Sequence, residues 1–221
     1  ANALQVWELT ETAEKRVPAH VLMGHKGDVT TIDFSPDGQW MVTGDDRGLV
    51  LVWDWEKKTV VARITEHTSR INTIEVLSSD RFAVASNDRT AAIWSLPAAR
   101  EIAVYPHESP VSDLAWSQSR SELFTVSETG LVRVFVENSK EPIATSASIS
   151  PHLSSIDISP DGNSLALVDY EVNVVHILAR DDLNADPLQV LNVAEKGGAA
   201  WSAAFLDNQH VVTVGGDDAR V

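Results

Sequence analysis

The chain has 221 residues, of which 43% are hydrophobic, and 17 basic against 32 acidic side chains give it a formal net charge of −15. This composition is typical of a globular protein, and the negative charge makes direct binding to nucleic acid unfavourable. Cysteine is absent, which excludes disulfides and thiolate metal sites. No apolar run reaches the length of about 18 residues that a membrane-spanning helix needs, and the N-terminal residues do not resemble a signal peptide. We therefore expect an intracellular protein, cytoplasmic or nuclear, without membrane insertion.

The first predicted elements are two short strands. Residues 4–9 read LQVWEL and residues 19–23 read AHVLM, and both are apolar runs of strand length. A Pro at position 18 breaks the polar segment between them.

From residue 24 onward the chain repeats one pattern at intervals of 40–47 residues. Apolar residues follow four, seven and nine positions after the start of each unit, and a polar turn, an apolar stretch and a second turn come after them. The units start at His25, His67, His107, Ile149 and Lys196. Repetition at this spacing indicates an array of similar structural units.

Each unit has the pattern of β-structure. Runs such as VTTIDF at 29–34 and LVLVW at 49–53 are short and rich in β-branched residues. The SPDG segments at 35–38 and 159–162 suit a type I turn, with Pro and Gly at its second and fourth positions. The segments DDRG and NDRT suit a tight hairpin turn. One unit therefore predicts four antiparallel strands, a to d.

Gly24-His25, the Asp in the hairpin turn and Trp53-Asp54, repeated about every 40 residues, resemble the WD40 repeat. The resemblance implies an all-β fold, a β-propeller of four-stranded antiparallel blades. It also implies a hydrogen-bonded relay of His, Ser or Thr, Asp and Trp in each well-kept blade. The implied relay residues are His25, Thr43, Asp46 and Trp53 in one blade, and His67, Ser86, Asp88 and Trp94 in the next. Asp46 is one residue farther from its Trp than Asp88, which predicts an extra residue before strand c of the first blade.

The units divide the chain into parts of a propeller. Residues 1–23 would be strands c and d of a preceding blade, followed by blades at 24–64, 65–105, 106–146 and 147–193 and a partial blade at 194–221. Propellers of this family usually have seven blades, so we expect the chain to be part of a larger ring. The alternative is a closed five-bladed ring, in which residues 3–9 pair directly with residues 211–216.

No catalytic motif such as Gly-x-Ser-x-Gly, HExxH or a phosphate-binding loop is present. The histidines occupy equivalent places in successive blades, so they are not expected to converge on a metal. We therefore predict no enzyme activity, no catalytic residues, no cofactor and no metal. The resemblance implies a non-catalytic scaffold for protein–protein interaction within a multiprotein complex. The alternative is a protein component of an RNA-processing or ribosome-related assembly.

In this family the face that carries the d–a and b–c loops commonly binds partner proteins or peptides. Three arginines would lie in one sector of that face and acidic residues in another. The predicted partner-binding residues are Asp28, Asp45, Arg47, Arg70, Asn87, Arg89, Asp169, Glu171 and Asp218. Trp55 and Trp201 fall outside the core pattern and are further candidates for exposed contact residues.

Overall fold

The computed structural model describes residues 2–8, 17–137, 139–193 and 200–215. These residues form an all-β fold of six antiparallel sheets. The strands of the six sheets are, in chain order, β1 Ala3–Val6 and β2 His20–Met23; β3 Val29–Phe34, β4 Trp40–Asp45, β5 Val50–Asp54 and β6 Thr59–Ile64; β7 Ile71–Ser78, β8 Arg81–Ser86, β9 Thr90–Ser95 and β10 Glu101–Pro106; β11 Val111–Ser117, β12 Glu122–Ser127, β13 Val132–Val136 and β14 Ala144–Thr145; β15 Leu153–Ile158, β16 Ser164–Asp169, β17 Val174–Ala179 and β18 Gln189–Asn192; and β19 Ala200–Phe205 and β20 Val211–Gly215.

Each four-stranded sheet is a meander whose strands a to d follow one another in the chain. The a–b turn of the first complete blade shows why the sequence folds back at this point. Gly38 has a φ of +69°, and its backbone N–H donates to the Ser35 carbonyl at 2.8 Å. The Ser35 hydroxyl donates to Asp37, and the same serine and aspartate bonds recur at Ser159 and Asp161. The two SPDG segments therefore form the predicted turns.

Successive sheets pack face to face in chain order. Strands b and c are buried on both faces because alternate residues point toward the preceding and the following blade. In the first complete blade, for example, Met41 and Trp53 pack on Leu22 of the preceding sheet, whereas Val42 packs with Ile74 of the following one. The core is thus a series of layers between blades.

Carboxylates on the a strands add polar bonds between blades. The Asp33 carboxylate accepts the backbone N–H of Val76 in the next blade at 2.7 Å. Asp157 accepts the N–H of Phe205 in the same way at 2.6 Å. Such bonds fix the position of each a strand relative to its neighbour, and the a strands line the inner side of the array.

The first and last sheets have two strands each in the described part of the chain. There β1 pairs with β2 and β20 pairs with β19, and no ladder joins β1 to β20. Strand β1 ends at Val6, so the predicted strand at 4–9 is shorter than expected, and Trp7 is 47% exposed. The blade count and the division into domains stay predictions.

Candidate functional site

The first complete blade contains a four-membered chain of hydrogen bonds. The indole N–H of Trp53 donates to the Thr43 hydroxyl at 2.9 Å. That hydroxyl lies 2.7 Å from Nε2 of His25, and Nδ1 of His25 lies 3.0 Å from Oδ2 of Asp45. All four residues are buried. These hydrogen bonds connect the loop that enters strand a to strands b and c.

The charge state of the histidine follows from its surroundings. Burial lowers the pKa of His25, and this effect outweighs the opposing effect of Asp45. Burial acts to raise the pKa of Asp45, but hydrogen bonds from His25 and the backbone N–H groups of Leu49, Arg47 and Gly27 lower it below its usual value. A neutral histidine beside an ionised aspartate carries its proton on Nδ1. Its Nε2 therefore accepts the Thr43 hydroxyl proton.

The aspartate of this relay is Asp45, so the expectation of Asp46 is wrong. Asp46 is exposed, and its side chain accepts the backbone N–H of Asp28 at 2.8 Å. The expected extra residue before strand c is also absent, because Gly44 pairs with Val50 just as Ala85 pairs with Ala91. The two turns have the same length, and the acidic residue simply occupies an earlier position in one of them.

The second complete blade keeps only part of the relay. Nδ1 of His67 lies 2.9 Å from Oδ2 of Asp88, and this bond helps to lower the pKa of Asp88 to about 2 although burial acts to raise it. The predicted role of Ser86 is wrong, because its hydroxyl donates to the carbonyl of Arg70 at 3.0 Å. Nε2 of His67 and Nε1 of Trp94 are buried without a hydrogen-bond partner.

Strand pairing explains why the relay of the second complete blade lacks its hydroxyl. Thr43 pairs across strand a with Ile32, and the corresponding partner of Ile74 is Val84. Valine has the shape of threonine but no hydroxyl, so no hydrogen bond links His67 to Trp94, although their rings pack edge-on. In the third blade Thr125 occupies this position and lies 2.8 Å from Nε2 of His107. The sequence prediction did not identify that bond.

Three of the predicted partner-binding residues, Arg47, Arg70 and Arg89, are exposed on the face formed by the d–a and b–c loops. Their backbone segments touch one another. The N–H of Asn87 donates to the carbonyl of Arg70 at 2.9 Å, and Gly48 lies against the backbone of His67 and Ser69. We call these three residues the arginine cluster.

Other predicted partner-binding residues have structural roles. Asp45 and Asp169 were expected to be exposed, but both are buried and accept backbone N–H groups of their own b–c turns. Asn87 is half-buried, and its side chain accepts a hydrogen bond from Asn72 at 2.7 Å. A buried aspartate in a hairpin turn accepts hydrogen bonds from backbone N–H groups that would otherwise lack a partner.

The predicted acidic sector consists of Asp169, Glu171 and Asp218. Of these, Glu171 is exposed, and its carboxylate contacts the ring of His152. Asp28, which lies outside this sector, is also exposed. Asp218 lies outside the described residues. Of the two candidate tryptophans, Trp55 packs edge-on against Phe34 and carries the Lys58 ammonium over its ring, whereas Trp201 is 57% exposed.

Trp201 and Arg70 line one cleft of about 570 Å³ at the inner edge of the loop face. The a strands of the blades supply most of the other lining groups, which are amides, hydroxyls and carboxylates; they include Asn72, Ser112, Asp113, Ser154 and Ser202. The described residues contain no group of three or more His, Asp or Glu side chains that could hold a metal ion. No helix in this part of the chain is both long and apolar enough to cross a membrane.

Comparison with known proteins agrees with this geometry. The family model "WD domain, G-beta repeat" matches residues 16–54, 58–95 and 100–135, which together make up just over half of the chain. The crystal structure of the WD40 β-propeller domain of Doa1 superposes with a TM-score of 0.73 at 20% identity, covering 90% of this chain and 64% of that one. That likeness shows the fold.

Two proteins with similar sequences are named for different cellular roles. The U5 small nuclear ribonucleoprotein 40 kDa protein of Dictyostelium discoideum is 29% identical over 58% of this chain and 37% of its own length. The B-type cell cycle switch protein ccs52B of Medicago truncatula is 26% identical over 69% of this chain and 33% of its own length. The chain thus spans about a third of each relative. The repeats, the relay and the stacked four-stranded sheets establish that the chain belongs to the WD40 family, whose propellers generally act as non-catalytic scaffolds for protein interactions.

Proposed function

We propose that this protein is a non-catalytic scaffold that binds another protein of a larger complex through the face formed by its d–a and b–c loops. The observation that carries the proposal is the arginine cluster. Arg47, Arg70 and Arg89 are exposed, and they belong to three loop segments that touch one another. Arginine is favoured at protein interfaces because its planar guanidinium binds carboxylates and stacks on aromatic rings.

The burial of Asp45 and Asp169 supports the same face. These carboxylates hold the b–c turns in a fixed conformation through bonds to backbone N–H groups. A rigid loop loses little conformational entropy when a partner binds, which favours affinity. In these turns the buried aspartates fix the backbone, and the exposed side chains are free to contact a partner.

Membership of an RNA-processing assembly is the second candidate, because one relative is a component of a small nuclear ribonucleoprotein by name. The other relative is a cell cycle protein, so similarity alone does not choose a complex. The net charge of −15 favours attachment to such an assembly through protein and not through RNA. Ribonuclease treatment of the purified complex tests this point, since a protein-mediated partner stays bound after the RNA is digested.

The proposal is tested by charge reversal on each face of the propeller. Proteins that co-purify from cells are compared between wild type and the triple variant Arg47→Glu, Arg70→Glu, Arg89→Glu. We expect the principal partner to be lost while the variant keeps its circular dichroism spectrum and melting temperature.

The matched control is Arg100→Glu, in the c–d turn on the opposite face. Arg100 is also an exposed arginine, and its backbone N–H, not its side chain, makes the bond to Ser95. We expect this variant, and Asp37→Asn with Asp161→Asn in the a–b turns, to retain the partner. Equal loss from both faces would contradict the assignment of the binding face.

A further inference from the structure

The cleft beside the arginine cluster contains an exposed aromatic side chain at an unusual place. Trp201 occupies the second position of its a strand, where the other blades have Thr30, Asn72, Ser112 and Ser154. Those residues are small and polar. Asn72, Ser112 and Ser154 line the cleft, and Trp201 lines it from the equivalent position with 57% of its surface exposed. An exposed tryptophan in a cleft is a favourable contact for an apolar side chain of a ligand.

The arginines of the cluster lack partners, although the protein is rich in carboxylates. Arg81, Arg120, Arg133 and Arg180 each form an ion pair with an acidic side chain. No such pair is formed by the side chains of Arg47, Arg70 or Arg89 within the described part of the chain. In a protein with a net charge of −15, three neighbouring unpaired guanidiniums leave a local site for an external carboxylate.

Arg89 adds evidence from the backbone. It has a φ of +72°, in the left-handed region, at the turn position where two other blades have Gly48 and Gly130. A non-glycine residue in this conformation is strained, because its Cβ lies too close to the backbone. The side chain of Arg89 therefore occupies a place that glycine would fill with less strain, which makes Arg89 a candidate for a functional role on this face.

From these observations we infer that the cleft binds an extended acidic segment of a partner protein, with a carboxylate held by Arg70 and an adjacent apolar side chain packed on Trp201. This inference rests on the proposed function and names the chemistry of the segment. The volume of the cleft, about 570 Å³, is within the range of roughly 300–1,000 Å³ that is usual for ligand clefts.

The other charges in the cleft restrict the ligand. Glu128 also lines it, so the acidic position of the segment belongs at the arginine end. The Asp113 carboxylate already accepts the backbone N–H of Ile156 and the hydroxyl of Thr73. A nucleic acid places a charge on every nucleotide and would meet these carboxylates, whereas a peptide with a single acidic residue would not.

The test is selection of binders from a random octapeptide phage library on the intact protein. We expect sequences that contain Asp or Glu next to an apolar residue. Synthetic copies of these peptides should bind Arg70→Ala and Trp201→Ala about tenfold more weakly in calorimetry. They should bind the control Arg100→Ala, which alters an exposed arginine on the opposite face, as tightly as wild type.

Four results would overturn the inference: no enrichment, enrichment without acidic residues, equal binding to Arg70→Ala, or displacement of the peptide by an oligothymidylate of eight nucleotides at equal concentration. Selected peptides without acidic residues that still lose affinity for the triple arginine variant would leave the proposed binding face intact. The two proposals can thus fail separately. Circular dichroism of every variant separates loss of binding from loss of fold.

Discussion

At the scale of single residues, one hydroxyl decides whether a blade has a complete relay. Thr43 joins Trp53 to His25, whereas Val84 leaves Nε1 of Trp94 and Nε2 of His67 without a hydrogen-bond partner. A buried polar group without a hydrogen bond costs roughly 1–3 kcal/mol. The substitution Val84→Thr keeps the shape of the side chain and supplies the missing hydroxyl. We expect it to raise the free energy of unfolding by about 1 kcal/mol, measured by urea denaturation.

The control for this prediction is the reverse change in the neighbouring blade. Thr43→Val should lower the free energy of unfolding by roughly 1–3 kcal/mol, because it leaves Nε2 of His25 and the indole N–H of Trp53 unpaired. A lower stability for Val84→Thr would show that the new hydroxyl remains unpaired. The relay would then not be the reason for the residue at this position.

The sequence contains a signal for the hydroxyl position, which predicts Thr43 correctly and shows why Ser86 is wrong. Thr43 lies ten residues before Trp53, and Val84 lies ten residues before Trp94, so counting back from the aromatic residue identifies the hydroxyl position. Ser86 satisfies the resemblance as a hydroxyl residue of strand b, but it lies two positions beyond the site that Thr43 occupies in the first complete blade. The choice between Asp45 and Asp46 depends on the conformation of the turn, which composition does not reveal.

Arg89 offers a separate test of residue choice. Glycine adopts its φ of +72° without strain, so Arg89→Gly should not lower the melting temperature, and we expect the free energy of unfolding to rise by up to about 1 kcal/mol. The same variant should bind the principal partner more weakly. Thermal denaturation and calorimetry measure the two effects. Unchanged partner affinity would indicate that Arg89 has no part in the binding face.

At the scale of elements, the a strands are joined by carboxylates that crowd together. Glu75 accepts the backbone N–H of Trp116 in the next blade, and Asp113, Asp157 and Asp33 lie around it. Burial, together with the negative charges of these three aspartates, raises the pKa of Glu75 to about 8. Burial also raises the pKa values of Asp113 and Asp157. The folded protein therefore holds protons that the unfolded chain releases.

This shift predicts how stability depends on pH. The stabilising effect of protonated Glu75 is fully present below about pH 4.5 and is lost as the pH rises through about 8. Glu75→Gln keeps an acceptor for the Trp116 N–H but cannot ionise. We expect it to be more stable than wild type at about pH 9 and to show a flatter decline between about pH 4.5 and 8. Parallel declines in both proteins, followed by urea denaturation, would contradict the assignment.

The strands themselves could be predicted because the repeat places apolar residues in fixed register. Runs such as Val29–Phe34 alternate, and the SPDG turns mark where each run ends. The carboxylates on the a strands could not be predicted in the same way. Asp33 and Asp157 occur at equivalent positions, but their bonds to Val76 and Phe205 connect blades more than 40 residues apart in the chain.

At the scale of the whole molecule, the end sheets differ from the inner ones in what they leave exposed. Val21 and Met23 of β2 are 52% and 66% exposed. Val212 and Val214 of β20 are also exposed, at 53% and 64%. In the inner blades the corresponding faces pack against a neighbouring sheet. A ring with further blades would cover both ends, and the seven-bladed count stays a prediction.

The two faces of the propeller differ in a way that bears on function. One face carries the arginine cluster and the cleft with Trp201, and the other carries the Ser-Asp turns at 35–37 and 159–161. Hydrogen–deuterium exchange of the protein, free and bound to its co-purified partner, tests the central claim most directly. We expect slower exchange on binding in residues 45–49, 67–70 and 86–90 and unchanged exchange in residues 35–39 and 159–163. Protection confined to the second set of residues would contradict a binding face formed by the d–a and b–c loops.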